Sequence, residues 1–136
     1  MIKKILILAF LTLTFNSCSL DSDTPNFGYE TLPIKEAIVP DEFQFGSTYT
    51  ITVKYGLPST CYSFHELYYQ YDGTSRIVAI NAMIYYDEAC RDVATEKEYD
   101  FPVSVTQSED YVFKFWKGKD SNGQDIFDEV VVPVVQ

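Results

Sequence analysis

Histidine and tryptophan each occur once in the 136 residues, as His65 and Trp116. A hydrolytic triad needs a histidine beside a nucleophile and an orienting acid. No Gly-x-Ser-x-Gly, His-Glu-x-x-His or phosphate-cradling glycine loop accompanies His65. The lone imidazole therefore reads as an ordinary strand side chain, and no catalytic or cofactor-binding residue is assigned. Basic residues are also scarce, 10 against 20 acidic ones. Affinity for nucleic acid is drawn from Lys and Arg, so that partner is disfavoured; the acidic surface reads as solubility. No apolar run reaches the ~20 residues of a membrane-spanning helix. Long stretches of helical periodicity, internal repeats and low-complexity blocks are absent as well.

Metal ligands are few. One histidine and a small number of cysteines cannot close a zinc site without several carboxylates. Asp120-Ser121-Asn122-Gly123-Gln124-Asp125 is rich in oxygen, but an EF-hand loop needs Gly at its sixth place and Glu at its twelfth. Those places hold Asp125 and Val131. The segment reads instead as a hairpin loop, and no metal is expected. The carboxylate pairs Asp41-Glu42, Asp87-Glu88 and Asp128-Glu129 read as solvated rims, because adjacent strand residues point to opposite faces.

What is present begins with the N-terminus. Lys3 and Lys4 precede an apolar run from Ile5 to Phe15, then Asn16-Ser17-Cys18. A charged start, a short apolar core and a small residue before the cut make a secretory signal. Ser17-Cys18 resembles the lipoprotein signals of Bacteroidota-type proteins, although Phe15 and Asn16 depart from the strict pattern of Leu and a small residue at those places. The resemblance implies lipidation of Cys18, a membrane partner reached through that lipid, and a cell-envelope location. The outer membrane is the expected site, on its periplasmic or its surface face. The expected organisation is signal 1–17, lipidated Cys and flexible tether 18–32, and one domain over 33–136. Removal of residues 1–17 leaves 119 residues and takes the formal charge from −10 to −12. With Cys18 carrying lipid, Cys61 and Cys90 remain, and in an oxidising compartment two leftover cysteines most simply pair.

Tyr and Phe number 11 and 10, residues that favour pleated, half-buried surfaces. Candidate strands follow at regular spacing. They begin at Ile34–Val39, and then Tyr49, Ile51, Val53 and Tyr55 alternate with Thr48, Thr50, Thr52 and Lys54. Cys61–Tyr71 and Arg76–Tyr86 flank Asp72-Gly73, a hairpin signal. Residues 87–100 read as a loop with a helical turn at Ala89–Ala94. Phe101–Val105, Tyr111–Trp116 and Asp125–Val135 complete about seven strands, an all-β antiparallel sandwich, with a small β-barrel as the alternative. The count in roughly one hundred residues resembles immunoglobulin-like domains. Asp110-Tyr111 resembles a tyrosine corner, which implies a hydroxyl bonded to backbone a few residues upstream. No cysteine pair sits on the second and sixth strands, and Trp116 is on the sixth rather than the third. This is not the antibody pattern.

Tyr62, Tyr68, Tyr69 and Tyr71 crowd one strand, with Tyr85 and Tyr86 on its hairpin mate. They cannot all face one core, so they form the candidate binding patch, suited to a protein or a sugar ring. Cross-strand aromatic pairing without a ligand is the competing reading. The expected function is non-enzymatic: a lipid-anchored envelope protein in protein–protein interaction or envelope structure. A glycan-binding accessory module, or a small envelope enzyme or inhibitor, is the alternative.

Overall fold

The computed structural model describes residues 26–86 and 89–136. The signal, Cys18 and most of the expected tether lie outside the described residues. Ten strands and no helix are found among them: β1 (Phe27–Leu32), β2 (Ile34–Ile38), β3 (Phe43–Gln44), β4 (Thr48–Leu57), β5 (Tyr62–Asp72), β6 (Ser75–Tyr85), β7 (Thr95–Ser104), β8 (Tyr111–Lys119), β9 (Asp125–Val132) and β10 (Val134–Val135). The expected all-β sandwich is present.

One sheet is built on β6. Strand β5 pairs antiparallel with it, from Tyr62↔Ile84 to Asp72↔Ser75. Two strands pair in tandem with the other edge of β6: β8 runs parallel beside Ser75–Val78, and β1 runs antiparallel beside Ile80–Tyr85. Strand β9 then pairs with β8. The second sheet is β2-β4-β7, all antiparallel. A short parallel pair joins β10 to β3. Separate sheets of this kind are not the closed barrel considered above. The β6–β8 and β3–β10 pairs are parallel, where an antiparallel sandwich was expected.

The core follows from period-two alternation. Ile51, Val53 and Tyr55 of β4 meet Phe101 and Val103 of β7 on one inner face; Val78, Ile80 and Ala82 of β6 meet Phe113 and Phe115 of β8 on the other. Burying side chains of this size stabilises the fold by about 1.5–3 kcal/mol each. Rings stack along β8, Tyr111 on Phe113 and Phe113 on Phe115, with centroids 5.9 Å apart in both pairs. The tyrosine corner forms: the Tyr111 hydroxyl accepts from the Thr106 amide at 3.1 Å, five residues upstream.

Four features differ from the sequence expectation. The tether does not extend to residue 32, because Phe27–Leu32 pairs with β6. The chain then changes sheets at Pro33, which lacks an N–H to pair, and both Leu32 and Ile34 bury their side chains. Strand β7 starts at Thr95, inside the expected loop, because Thr95–Glu98 pair with Lys54–Leu57. Ala89–Ala94 forms no helical turn. The last expected strand divides at Pro133 into β9 and β10. The Cys61–Cys90 disulfide is present, closing a separation of 29 residues. Beside it the Thr60 amide donates to the Arg91 carbonyl at 3.1 Å, and the Arg91 amide to Thr60 Oγ1 at 2.9 Å.

Candidate binding cleft on the five-stranded sheet

The six tyrosines of the expected patch do not assemble. A bulge between Phe64 and Glu66 shifts the register of β5 on β6. One extra residue reverses which side chains face the core. Tyr62 and Phe64 point inward before the bulge, Leu67 and Tyr69 after it, and Tyr62, Leu67 and Tyr69 pack on the core. The Tyr69 ring meets Phe101 at 5.7 Å, and burial pushes its hydroxyl up to about 12. Tyr62 donates to Glu30 Oε2 at 2.6 Å; that hydrogen bond raises its pKa to about 12. Tyr71 covers the Arg76 guanidinium. Tyr86 lies against Gly28, where a Cβ would collide with its ring. Tyr68 and Tyr85 face outward from the sheet, opposite Ala79 and Phe27 respectively.

A different constellation forms on that outer face. Strands β1 and β8 meet β6 in tandem and then diverge, and a cleft of about 600 Å³ opens at the fork. Its floor is Ile77 and Ala79 of β6, and the small Ala79 is itself buried between the flanking side chains. Tyr68 and Gln70 of β5 form one wall, and Trp116 and Phe127 of β8 and β9 the other. The Tyr68 hydroxyl donates to Gln70 Oε1. Across the cleft the Trp116 indole donates to Asp125 Oδ1 at 3.0 Å, and Lys119 Nζ reaches the same oxygen at 2.9 Å. Lys119 first, then the indole N–H, hold the Asp125 carboxyl below its ordinary range. A bulge between Trp116 and Gly118, with Gly118 at φ 112°, resets the register so that Lys119 stands opposite Asp125.

A smaller concavity of about 390 Å³ continues from it past Glu30 and Thr31. A polar chain crosses three strands there: Thr31 Oγ1 donates to Asn81 Oδ1 at 3.0 Å, and Asn81 Nδ2 to Glu66 Oε1 at 3.2 Å. Tyr29 closes the far end, its ring 4.7 Å from that of His65. The sole histidine is thus an exposed ring partner in the cleft. Of these residues the sequence singled out only Tyr68 for binding. A signal for the rest existed in the second face of the Arg76–Tyr86 strand, where Ile77, Ala79 and Met83 are too apolar for open solvent.

The outer face of the other sheet is ordinary by comparison. Thr52 donates to Asp100 Oδ1 at 2.6 Å, and Lys54 pairs with Glu36 at 3.2 Å and Glu98 at 3.8 Å. No comparable row of rings interrupts it. The Asp120 loop is a hairpin turn: its carboxylate accepts from the amides of Asn122 and Gln124 at 2.8 and 2.9 Å. Asp41, Glu42, Asp128 and Glu129 are exposed; Asp87 and Glu88 lie outside the described residues. A search of curated proteins and a search of solved structures each find no match to the chain. A family model, described as the ORF11 beta-sandwich domain, matches residues 51–132. That span carries every cleft residue of β5, β6, β8 and β9, while Tyr29, Glu30 and Thr31 on β1 precede it. The match takes in more than half of the chain, which belongs to the ORF11 beta-sandwich domain family.

Proposed function

We propose that this protein is a non-enzymatic glycan-binding module, lipid-anchored in the cell envelope through Cys18 with its signal over residues 1–17. The observation that carries the reading is the interleaving of flat rings with planar hydrogen-bonding groups in one trough. Tyr29, Tyr68, Trp116 and Phe127 alternate there with Thr31, Glu66, Gln70, Asn81 and Asp125. A sugar has apolar C–H faces and a rim of hydroxyls, and rings with nearby amides and carboxylates complement both. The Asp125–Lys119 pair is self-neutralised, so Glu30 and Glu66 leave the trough negative. This favours neutral glycans over sulfated or uronic ones. Rings and amides within the trough are tied to protein partners before any ligand arrives, which lowers the ordering cost of binding.

A protein partner on the same face is the second reading. Val131, 58 % exposed, and Tyr85, 40 % exposed, extend the face beyond the trough, and a stable protein interface needs roughly 1,200 Å² or more in total. A glycan array distinguishes the two. The soluble domain should bind neutral oligosaccharides; an array without any signal, alongside capture of one defined protein from crosslinked intact cells, favours the protein partner. The anchor has its own test. Cys18→Ala should move the protein from the membrane fraction to the soluble one, and retention of the mutant in membranes with its signal uncleaved contradicts the lipoprotein reading.

A further inference from the structure

A second concavity, of about 260 Å³, lies at the opposite end of the sandwich from Tyr29, lined by Tyr69, Tyr71, Ser104, Thr106 and Tyr111 around Arg76. Arg76 is the one charged side chain buried among the described residues, 4 % exposed. A buried cation is ordinarily matched by a carboxylate, since an isolated charge in a low-dielectric interior is costly. None stands within ion-pair distance of Arg76 among the described residues. Its neighbours are neutral. Nη1 donates to the Gly73 and Ser75 carbonyls at 3.2 and 2.9 Å, and Nη2 to Gln107 Oε1 at 2.8 Å. The ring of Tyr71 lies 4.0 Å from the guanidinium carbon and that of Tyr111 5.0 Å from it.

A guanidinium has five N–H donors. Three are engaged in those bonds, the Tyr69 hydroxyl is a further hydrogen-bonding neighbour, and Nε is buried without a partner. Nε–H is unfilled, and Nη2 beside it donates to Gln107 Oε1. Those two nitrogens form the side edge of the guanidinium, the fork that receives a planar carboxylate through two parallel hydrogen bonds. We propose that this edge is a docking site for a carboxylate group, with Tyr71 as its movable cover. Tyr71 suits that role because the residue is 69 % exposed although its ring lies on the charge. Ser104 and the Tyr69 hydroxyl line the same concavity and supply polar neighbours for the incoming oxygens. The carboxylate supplies the missing counter-charge and fills the unpartnered donor. A small free acid and the C-terminus of a peptide present the same group.

The test follows the Arg76 Nε–Hε signal by NMR in ¹⁵N-labelled protein, assigned by its loss in Arg76→Lys. Three titrations are run at equal ionic strength: sodium acetate, a short neutral peptide with a free C-terminus, and sodium chloride with the amidated peptide as reference. The expected result is a saturable shift of this signal with a carboxylate and none with the references. Saturation by acetate identifies a small acid as sufficient, and saturation by the free-ended peptide alone identifies a chain end. Tyr71→Ala removes the cover without removing the fork, and should reach half-saturation at a several-fold lower concentration. It also keeps the proposal testable if Arg76→Lys fails to fold. The absence of any carboxylate-specific saturation in both wild type and Tyr71→Ala overturns it.

Discussion

Opening the Cys61–Cys90 bond should cost the domain a large share of its stability without dissolving its fold. The bridge closes a separation of 29 residues. In the chain-entropy treatment, a loop of that length restricts the unfolded chain by about 12 cal/mol/K, or about 3.6 kcal/mol at 25 °C. For a domain of this size that corresponds to a fall in Tm of roughly 15–30 °C. The native side should change little, since the two hydrogen bonds between Thr60 and Arg91 hold the same loop against the start of β5. The assay is urea unfolding of the oxidised protein and of the protein reduced by a phosphine. Reduction leaves both side chains in place and so avoids a void at Cys61, which is buried. The midpoint should fall and m should rise slightly, because the unfolded chain is released to expand. A loss below about 1 kcal/mol with unchanged m would refute the reasoning, since it would mean that residues 61–90 are already held together in the unfolded chain.

Three further outcomes follow from particular contacts. Tyr69→Ala should destabilise by about 2–4 kcal/mol by leaving a void against Phe101, whereas Tyr68→Ala on the outer face should cost under about 1 kcal/mol; thermal melts of the pair check this contrast. Tyr111→Phe removes the acceptor of the Thr106 amide and should cost about 1–2 kcal/mol in the same assay. Tyr62 and Tyr69 are both raised from 10.0 to about 12. The folded state therefore keeps protons that the unfolded state has already lost, and stability should be fully present below about pH 10 and fall between about pH 10 and 12. Tyr62→Phe should flatten part of that fall, and a slope unchanged in the variant would contradict the role of Glu30.

Much of the fold is written locally. The alternation from Thr48 to Tyr55 needs no distant partner to be read, and Asp110-Tyr111 carries the corner in two residues. Assigning Cys18 to lipid leaves an even pair of cysteines, and that pair is joined. What escaped the sequence depends on distant pairing. Phe27–Leu32 contains Gly28 and polar residues and looks like tether; only its six-residue register with β6 makes it a strand. Thr95–Asp100 is charged and almost wholly exposed, and β4 alone organises it. The crowding of tyrosines on one strand is visible, but what sorts them, one bulged residue near His65, is a property of the pairing with β6. That residue sends Tyr69 into the core and Tyr68 to the surface. The cleft is less legible still, because it exists where β1 and β8 part from β6, and Trp116 and Tyr68 lie far apart along the chain.

The most direct test of the account is a calorimetric titration of the best neutral oligosaccharide from the array into wild type, Trp116→Ala and Tyr68→Ala, each with its melting curve. Aromatic platforms in such sites act as binding hot spots, so each substitution should weaken binding by about tenfold or more. Melting should move only slightly, because both rings stand outside the core cluster. Undiminished affinity in both variants, with the fold intact, would contradict the assignment of this cleft as the glycan site.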